Sequence, residues 1–318
     1  MKREIGWDDI SRDDTSVVTA GTFDGVHRGH QAIIDYLGRR AEQRGGTSTV
    51  MSFDPHPRAV VHDREVELLS TLEERGDLLE RYGIDRFVVI PFTKEFAHLP
   101  ARQYVEEILV RRIGLAEITV GYDHAFGRNR EGNVDLLREM GKTHGFDVDV
   151  IPAQEVESDV VSSSRVRSLL RQGDVTKAAT LLGRPYELRG VVEHGEGRGR
   201  TIGYPTANIE VADGRKLIPA IGVYAVRVYR YATAEILNGM MNVGRRPTFD
   251  GMDVTAEVNI FDFDADLYGE MLRVEFLRRL RDERKFDSVD GLVQQLSKDE
   301  SHCKQVIQAG GFSDPVMP

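Results

Sequence analysis

Two short stretches of the 318-residue sequence gather side chains suited to holding phosphate. The first is Gly21-Thr22-Phe23-Asp24-Gly25-Val26-His27-Arg28-Gly29-His30, followed at once by the apolar positions Ile33, Ile34 and Leu37. His27 and His30 are three apart, so at a helix entrance their rings face the same way. Imidazoles at the positive end of a helix make a site for a phosphate group, and Gly29 lets the backbone come close to it. The chemistry suggested is nucleotidyl transfer, in which the protein positions a triphosphate and neutralises charge on the phosphorus. A metal-binding pair and two solvated histidines at a helix end remain alternative readings.

The second stretch runs from His194 to Asn208 and holds Gly195, Gly197, Gly199 and Gly203 within nine positions, interleaved with Arg198 and Arg200. Such glycine density frees the backbone to wrap a polyphosphate with its N–H groups pointing inward. A dinucleotide-binding fingerprint does not fit, because the third glycine is out of register and no strand-helix-strand unit surrounds it. No Walker loop lies in this stretch, since it contains no Gly-Lys-Ser/Thr. For the glycines alone, a hairpin followed by an edge strand is the competing reading.

The elements that must position these residues follow from hydrophobic period. Up to residue 184, short β-branched runs at 16–20, 47–53, 86–91, 117–121 and 147–151 alternate with amphipathic segments at 29–44, 71–82, 101–113 and 133–144. That alternation predicts an open parallel sheet of Rossmann-like type, whose ligands sit in the loops after the strands. Two short helices are expected at 165–172 and 175–182. Beyond Arg184 the period changes to alternating runs at 187–194, 206–211, 223–229, 236–243, 255–261 and 271–276, which predicts an antiparallel barrel or sandwich. A helix over 289–308 closes the chain. The domains expected are therefore 1–184 and 185–318.

Composition narrows the partners. The net charge is −10, with 25 basic against 31 acidic residues up to Arg184 and 17 against 21 after it. Neither half has the basic excess of a phosphate-backbone binder, so no nucleic-acid partner is expected. No apolar run approaches the ~20 residues of a membrane span, and the acidic N-terminus does not read as a secretory signal. A cytoplasmic protein acting on small molecules, monomeric or weakly homo-oligomeric, is the expectation. Cys303, the single cysteine, can form no internal disulfide and reads as a helix residue.

The first stretch resembles the signature of the adenylyltransferase half of the prokaryotic bifunctional riboflavin kinase and FAD synthetase (FMN adenylyltransferase) family. Phe53-Asp54-Pro55-His56-Pro57, Gly121-Tyr122-Asp123-His124-Ala125-Phe126-Gly127 and Ser162-Ser163-Ser164-Arg165-Val166-Arg167 fit that half in order, with Ser164 where Thr is more usual. The resemblance implies that His27 and His30 stabilise the adenylyl transition state while Ser163, Ser164 and Arg167 hold the triphosphate. It further places Gly21, Phe23, Asp24, Gly25, Asp54, Asp123 and Phe126 around nucleotide and flavin.

In the second half, Pro205-Thr206-Ala207-Asn208 resembles the riboflavin kinase signature. This implies Mg2+ held by Thr206 and Asn208, and ATP phosphates among Gly195, Gly197, Arg198, Gly199 and Gly203. Ala256-Glu257-Val258-Asn259-Ile260-Phe261-Asp262-Phe263 and the following Asp-Leu-Tyr-Gly resemble the segment whose glutamate activates the riboflavin hydroxyl, which points to Glu257. Many relatives carry His where Asn259 stands. The implied architecture is an α/β nucleotidyltransferase domain followed by an antiparallel β-barrel kinase domain with a terminal helix. The implied reactions take riboflavin to FMN and FMN to FAD, with ATP as co-substrate. Two alternatives are a kinase with a degenerate adenylyltransferase half and a non-catalytic flavin-sensing regulator.

Overall fold

The computed structural model describes residues 1–121, 124–152, 155–156, 159–195, 198–248 and 251–310. By internal contacts the chain forms two compact units that divide between Ser163 and Ser164.

The first unit is built on six parallel strands, β1 (Lys2–Ile5), β2 (Ser16–Ala20), β3 (Thr47–Asp54), β4 (Arg86–Pro91), β5 (Leu115–Gly121) and β6 (Asp147–Ile151). Their order is β1-β4-β3-β2-β5-β6. Helices α1 (Arg28–Arg44), α2 (Pro57–His62), α3 (Leu72–Arg81), α4 (Lys94–Ala97), α5 (Ala101–Gln103) and α6 (Val134–His144) connect them, with α5 running on into a wider-wound helix over Tyr104–Ile113. A two-stranded ribbon of β7 (Glu155–Val156) and β8 (Asp159–Val160) follows β6. The five strands expected from sequence are all present. β1 is an addition: three of its four residues are charged, so it lacks the apolar signal of a buried strand and pairs along β4 as an edge.

Strand alternation sends neighbouring residues into two cores. Val17, Val50 and Phe87 pack with Ile34, Leu37 and Ala41 of α1 and with Leu78 and Leu79 of α3. Val18, Met51 and Val88 pack on the other face with Tyr104, Val105, Leu109, Leu137 and Met140. Caps fix the helix that matters most: His27 caps the start of α1, and Gly45 ends it in the left-handed region, donating to the carbonyls of Ala41 and Glu42. From β2 the chain winds one way through β3 and β4, then returns to β2's other side with β5 and β6. The strand order therefore reverses beside β2, and a ligand crevice belongs at the ends of β2, β3 and β5.

The second unit begins with α7 (Ser163–Arg171) and α8 (Val175–Leu182), which precede β9 (Tyr186–Glu193), the short helix α9 (Arg198–Thr201), β10 (Ala207–Glu210), β11 (Gly222–Arg230), β12 (Ile236–Thr248), β13 (Gly251–Ile260), β14 (Met271–Arg281) and α10 (Val289–Ala309). The strands close into an antiparallel barrel in the order β10-β13-β12-β11-β14-β9, which settles the choice between barrel and sandwich. Tyr224, Val226 and Val228 of β11 meet Leu272, Val274 and Phe276 of β14 in its interior, with the Tyr224 and Phe276 rings edge to face at 5.1 Å. α10 lays Cys303 and Val306 on Ala225, Met240 and Phe261, and Asp299 accepts two or more hydrogen bonds from Arg281 of β14. Burial pushes the Cys303 thiol up to about 12, which keeps it unreactive. On β9, burial works against ionisation of Glu187, yet Arg189, Arg184 and Arg273 draw it down to about 2. The carbonyl of Leu170 accepts from Ala220 and α8 packs on β9 and β14, so the contact boundary falls ahead of two helices that the sequence reading grouped with the first domain.

Candidate active sites

The turn after β2 is shaped by left-handed backbone at Phe23, Gly25 and Val26, with φ of 48°, 80° and 38°. Only the glycine adopts this without strain, and the two others are held by burial: the Phe23 ring is 2% exposed and Val26 is fully enclosed. Asp24 is wholly buried, its carboxylate accepting from the backbone N–H groups of Leu69 and Ser70 at 2.9–3.1 Å. Gly25 donates its N–H to the Ser70 hydroxyl at 2.8 Å. Ser163 adds a further tie, its hydroxyl donating to the Asp24 carbonyl at 3.0 Å. Phe23 and Asp24 thus serve this site by fixing the loop's shape.

The histidines emerge from that loop. His27 Nδ1 accepts from the His30 backbone N–H at 3.3 Å, which leaves the ring proton of a neutral His27 on Nε2. The two rings stack at 3.6 Å between centroids, and Phe23 backs His30 at 4.8 Å. Burial, then the neighbouring His27 and Arg75, hold His30 well below the ordinary imidazole value, so it is neutral at pH 7. His30 Nδ1 is buried without a hydrogen-bond partner among the described residues. A Cβ on Gly29 would lie 3.2 Å from the His27 ring, tighter than ordinary contact, so a side chain there would push on the ring. Together these features present imidazole N–H donors at the positive end of a 17-residue helix.

Arg75 of α3 was not legible in the sequence. It is 4% exposed and donates to the Ser52 hydroxyl at 3.0 Å, while Ser52 donates to the Thr22 carbonyl at 3.1 Å. The one local signal is the capping box of Thr71 and Glu74, which fixes the start of α3 and so the direction of Arg75.

At the ends of β3 and β4 an aromatic group forms. Phe53, Phe92 and Phe96 lie within 5.4–6.0 Å of one another, and Tyr104 links Phe96 to Phe126. Phe126 is pinned by paired backbone bonds with Gly132 and faces His124 at 5.6 Å. Asp54 ends β3, and its carbonyl accepts from Phe92. After the cis Asp54–Pro55 bond, His56 caps α2, with Nδ1 accepting from Arg58 at 3.1 Å. Gly21 donates to the Met51 carbonyl, tying the exits of β2 and β3. Ser164 and the buried Arg167 lie on the first turns of α7. Asp123 lies outside the described residues.

The second constellation centres on β10. Asn208 pairs with Glu257 of β13 on one side and with Glu193 of β9 on the other. Thr206, two residues earlier and therefore on the same face, donates its hydroxyl to Glu257 Oε2 at 3.3 Å. With its hydroxyl hydrogen directed at Glu257, the Thr206 oxygen keeps lone pairs for a cation. A Cβ on Gly195 would fall on the Asn208 side-chain amide, so the start of the glycine loop is moulded to that side chain. Gly199 crosses the Tyr204 carbonyl too closely for any side chain, and Gly203 is left-handed at φ 82°. Oxygen donors from Thr206 and Asn208 beside a carboxylate are the set a hard divalent cation takes while keeping several waters. Gly197 and the side chain of Arg198 lie outside the described residues.

Comparison with known proteins agrees with this division. The FAD synthetase family profile matches residues 9–165, and the riboflavin kinase profile matches residues 182–307. Among curated relatives, the bifunctional riboflavin kinase/FMN adenylyltransferase of Listeria monocytogenes is 38% identical over 94% of this chain and 93% of its own length. The protein of the same name from Escherichia coli is 36% identical over 94% of each. The chain belongs to the bifunctional riboflavin kinase/FMN adenylyltransferase family. As a member of it, the protein is an enzyme of flavin cofactor biosynthesis with riboflavin kinase and FMN adenylyltransferase activities. A crystal structure described as a macrolide-efflux protein from Streptococcus pneumoniae is also similar, with a TM-score of 0.87 at 36% identity over 95% of this chain and 98% of that one. Among the described residues of this chain, no helix is long and apolar enough to cross a membrane.

Proposed function

We propose that the two reactions are divided between the two constellations, with the functional boundary near Arg184. In the first, His27 and His30 donate hydrogen bonds to the α-phosphate of ATP as charge builds on it during attack by the FMN phosphate. A neutral His30 can serve this role, because its ring keeps one N–H to donate. Arg167 and the hydroxyls of Ser163 and Ser164 hold the departing pyrophosphate. The loop ends at Gly21, Gly25 and Asp54 line the nucleotide, with Asp123 as a further contact. The aromatic group running from Phe53 to Phe126 offers the apolar faces on which an isoalloxazine ring packs.

In the second, Thr206 and Asn208 hold Mg2+ on the ATP phosphates. When bound, the ion neutralises phosphate charge during transfer. Gly195, Gly197, Gly199 and Gly203, with Arg198, wrap the phosphates. Glu257 accepts the proton of the riboflavin hydroxyl as the new O–P bond to the γ-phosphorus forms and the bond from that phosphorus to the departing ADP breaks. The hydrogen bond between Thr206 and Glu257 carries this reading, because it sets the base and a cation ligand side by side.

The products follow from small molecules alone, with no nucleic acid or membrane required. Replacing His27 by Ala tests the division. With riboflavin supplied, the variant is expected to accumulate FMN and to form FAD about a hundredfold or more slowly, the scale on which removal of a transition-state donor acts. Loss of FMN formation in the same folded variant would refute two separate sites.

A further inference from the structure

Strand β13 presents Glu257 and Asn259 two residues apart on one face, and both reach the segment that leads into β10. Glu257 accepts from the Thr206 hydroxyl, while Asn259 Nδ2 donates to the Pro205 carbonyl at 2.7 Å. Asn259 itself is buried at 7% exposure, and the bond it makes is half-buried. The backbone ladder between β10 and β13 consists of the pairs Ala207–Val258 and Asn208–Glu257. The next rung in that register, Thr206–Asn259, is not part of it. Where the ladder stops, the Asn259 side chain takes over. The Pro205 carbonyl belongs to the same rigid peptide plane as the Thr206 nitrogen, so holding that oxygen sets the direction in which Thr206 leaves the turn.

We propose that Asn259 is a positioning residue of the kinase site, which through the Pro205 carbonyl fixes Thr206 in the orientation that serves the cation on ATP. The proposal rests on the reading of Thr206 as a ligand of that cation. A histidine at this position carries a ring N–H that can take over the amide's role as donor, whereas alanine cannot.

The test uses the full-length protein and four forms of it: wild type, Thr206→Ala, Asn259→Ala and Asn259→His. Calorimetric titration with ADP, with and without Mg2+, reads binding independently of turnover. Thr206→Ala identifies which part of the isotherm belongs to the barrel. Asn259→Ala is expected to weaken that Mg2+-dependent part by about tenfold, the scale of one net hydrogen bond. Asn259→His is expected to restore most of it. In rate measurements KM for ATP in FMN formation rises more than kcat falls, and FAD formation from supplied FMN is unchanged. Wild-type binding by Asn259→Ala, with Thr206→Ala impaired, would overturn the proposal alone. Unimpaired binding by Thr206→Ala would overturn the ligand reading beneath it, and the proposal with it. Joint loss of both activities and of melting temperature in Asn259→Ala would show a general structural role and refute positioning.

Discussion

Asn208 and Glu257 face each other across the ladder that joins β10 to β13, so a side-chain amide and a carboxylate are held at a separation set by backbone pairing. Directly opposed residues of an antiparallel ladder keep their Cβ atoms about 4.5–5.5 Å apart. With Thr206 bonded to the same carboxylate, three polar groups converge on one edge of the barrel.

Glu257→Ala should therefore lower the rate of FMN formation by about 10²–10⁴-fold, the range for removal of a general base. FAD formation from supplied FMN should stay at the wild-type rate. Initial rates with each flavin as sole substrate decide it.

Gly195→Ala is a finer probe. Gly195 does not sit in the left-handed region, so alanine brings no backbone strain, but its methyl group occupies the place of the Asn208 amide. The variant should keep a melting temperature within about 2 °C of wild type, as expected for a change well below 1 kcal/mol. Its KM for ATP in the kinase step should rise by about tenfold or more, corresponding to about 1.4 kcal/mol. A variant that loses stability while its kinase kinetics stay intact would contradict the moulding of the glycine loop to Asn208.

His30 predicts a pH dependence of stability. Its folded-state pKa is depressed below the ordinary 6.5 by burial, then by His27 and Arg75. The unfolded chain therefore binds more protons just below pH 6.5, so this contribution is fully present above that pH and is lost as pH falls toward the folded value. Denaturant unfolding of wild type and His30→Asn at pH 7.5 and 5.5 should show the larger acid loss in wild type. Equal losses would mean that His30 is not held neutral in the folded protein.

Periodicity made most of the fold legible, because the pairs Val17/Val18, Val50/Met51 and Phe87/Val88 sit in strands buried on both faces. β1 escaped, since Lys2, Arg3 and Glu4 look like solvated surface. β12 and β13 run further than expected, to Thr248 and from Gly251, because Arg245, Arg246, Pro247 and Asp253 read as turn chemistry within a paired ribbon. At the sites, residues that carry chemistry announced themselves by type and spacing: His27 with His30, and Thr206 with Asn208. The residues that hold them did not. Arg75 meets Ser52 across 23 positions and Asn259 meets Pro205 across 54, and no local pattern encodes such contacts.

The central claim is that one chain performs two successive transfers, and a time course tests it most directly. Incubating the wild-type protein with riboflavin, ATP and Mg2+ and separating the flavins by chromatography should show FMN rising first and FAD following at its expense, with pyrophosphate released in step with FAD. FMN that accumulates without FAD, or riboflavin that remains unchanged, would contradict it.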